Sequence, residues 1–192
     1  ARPLDSVTIS PVSAQVAVNG TQQFTATGKD AANQTADNVT YTWAVMAGGG
    51  TINATSGLFT AGNASGTFNG TVQVTAVQGN ITKTANAGVI VAVPGHLNSL
   101  AVSPAAITIP VNGTQQFTAV AKDAFNQNAT DVNLTWSVVA GGGTINSTSG
   151  LFTAGNTTGT FNGTVQVTAV QGSISMNAMV GKCLRTRLKI AK

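Results

Sequence analysis

The sequence contains few of the residues on which most enzymes and metal sites depend. Cys183 is the only cysteine and His96 the only histidine among 192 residues. One cysteine excludes an intramolecular disulfide and a thiolate metal cluster. No nucleophile is paired with a base, and no close pair of carboxylates is present for glycoside chemistry. We therefore expect no catalytic residue, no metal ligand set, no bound cofactor and no enzymatic activity.

Charged residues are also scarce, at 7% of the chain, and they are unevenly distributed. The formal net charge is +4, but five of the nine cations lie in the last stretch, at Lys182, Arg185, Arg187, Lys189 and Lys192. Residues 1–181 carry a net charge of −1. Because this body has no basic face, we expect no nucleic-acid partner.

Large apolar residues are few, since aromatics make up 5% of the chain and the apolar 42% is mostly alanine and valine. No run of 18 apolar residues exists, which predicts that the chain does not span a membrane. The first residues lack an apolar signal core, so we expect an excised mature segment. Each core should be thin, with Trp43 and Trp136 contributing much of its stability.

What the sequence does contain is an internal repeat with a period of 93 residues. The stretch at 20–24 returns at 113–117, Trp43 returns as Trp136, and residues 66–79 return letter for letter at 159–172. A period of this length indicates a tandem array of one small domain. We predict domain 1 at 1–94, a short linker at 95–98 and domain 2 at 99–192.

Short runs rich in Val, Thr, Ile and Phe, separated by turn residues, predict an all-β fold. In the first copy the predicted strands cover residues 6–10, 15–18, 22–29, 39–45, 51–52, 58–60, 71–78 and 81–93, with equivalents 93 residues later. Apolar residues alternate with Thr and Gln, so one face of each strand packs inward and Thr71, Gln73 and Thr75 face water. The expected structural core is Phe24, Trp43, Val72, Val74, Phe117, Trp136, Val165 and Val167. A two-sheet sandwich is favoured over a barrel.

Several motifs admit a functional and a structural interpretation. The triplet Gly48-Gly49-Gly50 lacks a following helix and a lysine, so it predicts a turn and not a phosphate loop. Asp30 and Asp37 could contribute to a calcium site, but ordinary Asx turns explain them with fewer assumptions. Phe68 and Phe161 lie between Gly and Asn residues and either are exposed for binding or anchor a loop to the core. Asn-X-Ser/Thr motifs, as at Asn19, Asn38, Asn53, Asn63, Asn69, Asn112 and Asn162, indicate little beyond surface exposure.

The repeat fails after Gly181. Where the first copy has Val-Ile-Val-Ala-Val at 89–93, the second has Lys-Cys-Leu-Arg-Thr at 182–186. Leu184 and Thr186 alternate with Arg185 and Arg187, which is the period of a half-buried strand that could replace the last strand of the sandwich. The composition of residues 182–192 favours a vector-derived segment or a change of reading frame.

The order of these motifs resembles the bacterial immunoglobulin-like domains of group 2. The resemblance rests on Ser-Val-Thr-Ile-Ser-Pro at 6–11, Val-Asn-Gly-Thr-Gln-Gln-Phe-Thr-Ala at 18–26, Val-Thr-Tyr-Thr-Trp at 39–43, the stretch at 50–62 and Val-Gln-Val-Thr-Ala at 72–76. It covers nearly the whole of both copies and fails in the tail. It implies two tandem immunoglobulin-like β-sandwiches in a secreted or cell-surface protein.

The expected function follows from the repeat and from this resemblance. A non-catalytic spacer or stalk of an extracellular bacterial or phage surface protein is the first hypothesis. An adhesive or carbohydrate-binding module, contacting glycan or a host protein through its loops, is the alternative. The expected partners are neighbouring domains of a longer parent protein, and the chain is expected to be a monomer.

Overall fold

The computed structural model describes residues 2–186, in which β-strands and connecting loops are the only structure assigned. The chain divides into two compact units, Ala1–Pro94 and Gly95–Lys192, which we call domain 1 and domain 2. Each unit has its own buried apolar cluster. No helix that could cross a bilayer lies between residues 2 and 186.

Domain 1 is built from strands, most of them short, joined by turns and loops. In chain order they are β1 (Ser6–Ser10), β2 (Ser13–Ala17), β3 (Thr21–Gln23), β4 (Thr25–Lys29), β5 (Thr40–Val45), β6 (Gly50–Ile52), β7 (Leu58–Ala61), β8 (Gly66–Gln78) and β9 (Ile81–Ala92). The break between β3 and β4 falls at Phe24, whose N–H donates to the Gly57 carbonyl oxygen at 3.0 Å. β3 and β4 are therefore consecutive parts of one strand.

With β3 and β4 taken as one strand, these strands form two sheets. In one sheet β1 pairs with β4, β3 pairs with β7, and β7 pairs with β6. In the other sheet the order is β2-β9-β8-β5, with β2 parallel to β9. β1 and β2, which follow each other in the chain, therefore lie in different sheets. This order is that of an immunoglobulin-like β-sandwich, as the sequence predicted.

Domain 2 repeats this arrangement. Its strands are β10 (Ser99–Ser103), β11 (Ala106–Pro110), β12 (Thr114–Gln116), β13 (Thr118–Lys122), β14 (Asn133–Val138), β15 (Gly143–Ile145), β16 (Leu151–Ala154), β17 (Gly159–Asn162), β18 (Val165–Gln171), β19 (Ile174–Met179) and β20 (Lys182–Thr186). β10 pairs with β13, and β16 lies between β12 and β15, as in the first sheet of domain 1. The protein is thus all-β, with two tandem immunoglobulin-like sandwiches.

The aromatic residues of both sheets meet in each core. Phe24 packs against Trp43 and Phe59, with ring centroids 6.4 and 6.3 Å apart, and Phe117 packs likewise against Trp136 and Phe152. All of the residues expected in the cores are buried, namely Phe24, Trp43, Val72, Val74, Phe117, Trp136, Val165 and Val167. Alternation along each strand places these side chains between the sheets.

Among the strands of domain 1, β8 departs furthest from its predicted start. β8 begins at Gly66 and not at 71, and its pairing with β9 shifts register between Phe68 and Val72. At this irregularity Thr71 and Val72 are both fully buried, so the expectation that Thr71 faces water is wrong. A bulge turns consecutive side chains to the same face, and the Gly-Thr-Phe-Asn-Gly composition concealed the strand.

The tail also differs in which residue it buries. β20 does replace the last strand, pairing with β11 and β17. Cys183 is 1% exposed, whereas Leu184, expected on the inner face, is half-buried. The predictions for residues 187–192 lie outside the described residues.

Candidate functional site

A glutamine at the end of β8 in domain 1, and of β18 in domain 2, holds the chain that enters each domain. Gln78 Oε1 accepts from the Leu4 N–H at 2.6 Å, and its Nε2 donates to the carbonyl oxygens of Arg2, at 2.8 Å, and Asp37. Such an amide satisfies backbone groups of two separate segments at once. We call this arrangement the glutamine clasp. Sequence reasoning missed it, and the only available signal was the identical Gln in both copies.

The clasp recurs in domain 2 and involves residues that the sequence assigned to the linker. Gln171 Oε1 accepts from Leu97 N–H at 2.7 Å, and Nε2 donates to the carbonyl oxygens of Gly95, at 2.9 Å, and Thr130, at 2.6 Å. Leu97 is buried, while His96 beside it is exposed. Residues 95–98 therefore occupy the place in domain 2 that residues 2–5 occupy in domain 1.

An aspartate organises the turn after β4 in domain 1 and the turn after β13 in domain 2. Asp30 Oδ1 accepts from the N–H groups of Ala32, at 2.9 Å, and Gln34, at 2.8 Å. This geometry is that of an Asx turn. Asp37 lies elsewhere, accepting from Arg2 N–H at 2.9 Å. Among residues 2–186 no group of three His, Cys, Asp or Glu side chains converges.

Asp123, the counterpart of Asp30, is more deeply buried. It is 3% exposed, its Oδ1 accepts from Phe125 and Gln127, and its Oδ2 accepts from Gly95 N–H at 2.9 Å. The Gly95 hydrogen bond, with those from Gln127 and Phe125 and the nearby Lys122 charge, lowers the pKa of this carboxyl although burial opposes the shift. Donors to a carboxylate favour its charged form. This aspartate fastens the entering chain of domain 2 to its turn.

The glycine triplets form turns that are covered by the two phenylalanines. A Cβ on Gly49 would lie 2.7 Å from the Phe68 ring, and one on Gly142 would lie 3.1 Å from the Phe161 ring. Thr71 Oγ1 donates to the Gly48 carbonyl oxygen at 2.6 Å, and Thr164 Oγ1 donates likewise to Gly141. Both phenylalanines are half-buried and pack against their cores. Their arrangement supports the loop-anchoring interpretation.

Several asparagines of the Asn-X-Ser/Thr motifs have structural roles. Asn19, Asn38 and Asn112 have positive φ angles of 60°, 52° and 61°. Asparagine is favoured in this left-handed region because its short side chain tolerates it. Asn53 Oδ1 accepts from the N–H groups of Thr55 and Ser56 at 3.0 and 2.9 Å. Turn geometry thus explains these asparagines without a ligand.

The outward face of the second sheet is polar and almost uncharged. In domain 1 Thr42, Thr75 and Thr84 lie side by side across three strands, and Gln73 Nε2 donates to Asn86 Oδ1 at 3.1 Å. In domain 2 Thr168 Oγ1 donates to Asn177 Oδ1 at 2.8 Å. Threonine suits such a face because its branched Cβ fits the pleat.

The domains differ where Leu134 replaces Tyr41. In domain 1 the Tyr41 hydroxyl accepts from Gly28 N–H at 2.7 Å. In domain 2 Ala121 and Leu134 occupy these two positions, and they line a surface groove of about 420 Å³ together with Val120, Asn128 and Val132. The shorter leucine leaves open the region that the tyrosine ring and hydroxyl fill. No ionisable side chain other than Asp131 lines this groove among the described residues.

No protein family and no curated protein matches the sequence. Solved structures with a similar fold include surface layer protein SbsC, domains 4–9, at 17% identity and a TM-score of 0.36, covering 97% of this chain and 32% of that one. The three N-terminal domains of the highly immunogenic outer capsid protein of bacteriophage RB49 match at 15% identity and 0.34, covering 95% and 70%. Human protocadherin-24 EC1-2 matches at 13% identity and 0.36, covering 96% and 99%.

This chain thus spans about a third of the length of that SbsC fragment. The assignment of the immunoglobulin-like fold rests on the strand order and register given above.

Proposed function

We propose that this chain is a non-catalytic structural spacer or stalk segment of an extracellular bacterial or phage surface protein, linked to neighbouring domains of a longer parent protein. The resemblance of its motifs to group 2 bacterial immunoglobulin-like domains supports this assignment and the location at a cell or particle surface. A function of this kind requires each domain to resist being pulled open through its two ends.

The observation that carries the proposal is the parallel pairing of β2 with β9. The chain enters domain 1 through β1, continues directly into β2, and leaves the domain at the end of β9. The register runs from Ser13 opposite Gly88 to Ala17 opposite Ala92. Because the strands are parallel, a pull on the two ends drives them in opposite directions and loads their hydrogen bonds together, in shear. β11 and β20 are parallel in the same way.

The glutamine clasp supports the same function. It fixes the entering backbone at Leu4 to the end of β8, which lies beside β9 in the second sheet. In domain 2 the Asp123 carboxylate adds a further bond to Gly95. The entering chain is thereby fastened to the sheet that receives the load.

Single-molecule force spectroscopy on the full chain tests this proposal. We expect two unfolding events, each releasing about 30 nm, the extended length of roughly 90 residues. Val18 N–H donates to the Ala92 carbonyl oxygen at 3.0 Å, and Val18 precedes Asn19 in a tight turn closed by Gly20 N–H and Ala17 O. Proline suits this turn position but lacks the N–H. Val18→Pro should lower the force of one event and leave the other as an internal control.

An unchanged unfolding force in Val18→Pro would contradict the shear geometry. The spacer function itself would be contradicted if both domains unfolded at low force, as sheets do when their hydrogen bonds break one at a time. Binding experiments give an independent check, because a spacer should show no saturable binding to a glycan array or to host-cell proteins.

An adhesive module is the second candidate, and exposed apolar residues in the loops favour it. Val12 is 73% exposed, and Met46 and Val139, which follow β5 and β14 in the two domains, are 60% and 50% exposed. Saturable binding to a glycan or host protein that is lost in Met46→Ser with Val139→Ser would support adhesion. Binding that survives both substitutions would place the contact elsewhere.

A further inference from the structure

The last strand of domain 2 fits its slot less well than the last strand of domain 1. The two slots are otherwise built from equivalent strands, β2 and β8 in domain 1 and β11 and β17 in domain 2. Domain 1 therefore shows what a well-matched strand looks like in this position. In domain 1 Val89 and Val91 enter the core at 1% and 2% exposed.

The mismatch begins after a shared anchor. Gly88 N–H donates to the Val12 carbonyl oxygen at 3.1 Å, and Gly181 N–H donates to the Ala105 oxygen at 2.7 Å. Beyond this point the registers differ by one residue. Val89 lies opposite Ala14 and Phe68, but Lys182, its counterpart in the repeat, is not opposite Phe161, which pairs with Cys183.

The slip has an electrostatic cause. Without it Lys182 would occupy the fully buried position of Val89, and an ammonium without partners is not stable there. In the slipped register Lys182 is exposed and Cys183 is buried. Arg185 is then the residue opposite Ile109 and Gly159, which is the register position that Val91 holds in domain 1. In neither register does domain 2 place branched apolar residues at both of the positions that Val89 and Val91 hold in domain 1.

The seam between β11 and β20 is open at the surface. A groove of about 210 Å³ lies along the β11–β20 seam, lined by Ala106, Ile107, Thr108, Lys182 and Leu184. The connection to β20 is also interrupted, because β19 ends at Met179 whereas β9 of domain 1 continues unbroken to Ala92. β20 is thus a separate short strand that can leave the slot without unpairing β19 from β18.

We propose that the slot between β11 and β17 accepts an extended strand from another polypeptide, with branched apolar residues at alternate positions, in exchange for β20. This inference goes beyond the spacer function and does not depend on it. Residues 88–92 of domain 1 identify the chemistry of the occupant, because they fill the equivalent slot in full register. Main-chain bonds to β11 and β17 supply affinity, and the two inward valines supply specificity.

Titration of the full chain, labelled with ¹⁵N, with a peptide of residues 86–94 tests the proposal by NMR. We expect saturable shifts at the amides of β11 and β17, while those of β2 and β8, whose slot is filled, stay unchanged. A control peptide with Val89→Lys and Val91→Lys should bind at least about tenfold more weakly, since each valine contributes more than one factor of ten when buried. Absence of shifts, or equal binding of both peptides, would overturn the proposal.

The same titration on a variant of the full chain provides a second test. Lys182→Val, Cys183→Ile, Leu184→Val, Arg185→Ala and Thr186→Val give domain 2 the residues found at 89–93. This variant should lose peptide binding, because its own strand then matches the slot. Peptide binding as tight as that of the original chain would overturn the proposal. Concentration-dependent dimerisation of the original chain, with shifts at β11 and β17, would identify a second copy as the occupant instead.

Discussion

At the residue scale, a few polar side chains inside each sandwich determine how loops and ends are attached. The glutamine of each clasp, the aspartate of each turn and the buried threonine beside each glycine triplet all bond to backbone groups. A buried or half-buried backbone group without a partner is costly, so these side chains fix one arrangement among many. Apolar packing alone would not distinguish between neighbouring arrangements of the entering chain.

Replacing the clasp glutamine should destabilise one domain only. Gln78→Ala removes bonds to Leu4, Arg2 and Asp37, and we expect the free energy of unfolding of domain 1 to fall by about 1–3 kcal/mol. Urea unfolding followed by the indole N–H NMR signals of Trp43 and Trp136 reports on the two domains separately. Gln73→Ala, which removes an exposed bond to Asn86, should change stability by less than about 0.5 kcal/mol. Equal effects of the two substitutions would refute the clasp.

Acid should weaken domain 2 through Asp123. Its pKa is lowered in the folded state, so its stabilising contribution is complete above the unfolded value, near 4, and is lost as the pH falls through the folded pKa. Asp123→Asn cannot accept from Gly95 with its amide nitrogen. We expect this variant to be less stable at pH 7 and to lose less stability between about pH 5 and 2.

Urea midpoints of the Trp136 signal at several pH values measure this difference. The Trp43 signal serves as the control, because domain 1 keeps all of its residues. A variant whose pH profile runs parallel to that of the original chain would show that Asp123 does not carry this pH dependence.

At the scale of elements, turns bring strands into close contact with the core tryptophans. Gly57 has φ +72°, and a Cβ there would lie 2.7 Å from the Phe24 carbonyl oxygen and 2.8 Å from the Trp43 ring. Gly150 stands in the same relation to Phe117 and Trp136. The turn before β7 therefore closes directly over the indole, which explains why glycine is needed at both positions.

A pair of glycine substitutions separates backbone strain from steric conflict. Gly79 has φ +58° but no atom within 4 Å of an added Cβ. Gly79→Ala should therefore cost only the left-handed backbone penalty, about 1–2 kcal/mol. Gly57→Ala adds the clash with Trp43 and should cost about 1–3 kcal/mol more. Urea unfolding read from the Trp43 indole signal measures both, and equal costs would show that the turn over the indole has room to move.

At the scale of the whole molecule, one domain plan is used twice, with separate cores. The buried residues of the main apolar cluster of domain 1 lie between Ile9 and Val91 in the chain, and those of domain 2 lie between Ile109 and Cys183. Residues 1–181 hold few charged side chains, and their net charge is −1. Because so few charged side chains are present there, we expect salt to affect stability weakly.

Truncating one tryptophan should unfold one domain and spare the other. Trp43 is 5% exposed and contacts Phe24, and Trp43→Ala should cost domain 1 about 3–5 kcal/mol. The free energy of unfolding of a small domain is about 5–15 kcal/mol, so this loss brings domain 1 close to unfolding. NMR should then show dispersed signals from domain 2 and an unchanged urea midpoint for Trp136. A parallel loss of the Trp136 midpoint would show that the two cores unfold as one.

The sequence alone determined the all-β class, the duplicated sandwich and the inward positions of Phe24, Trp43, Val72, Val74 and their counterparts 93 residues later. Alternation along a strand and a repeat can both be read from the chain without coordinates. The sequence did not determine Thr71, which a bulge buries, nor the clasp, where Gln78 meets backbone 74 residues away. It also placed the wrong face of the tail inward.

Only the tertiary structure decided those points, since register between distant strands depends on which side chain the core accepts. Lys182 could not replace a buried valine, so β20 slipped by one residue and Cys183 took the inward position.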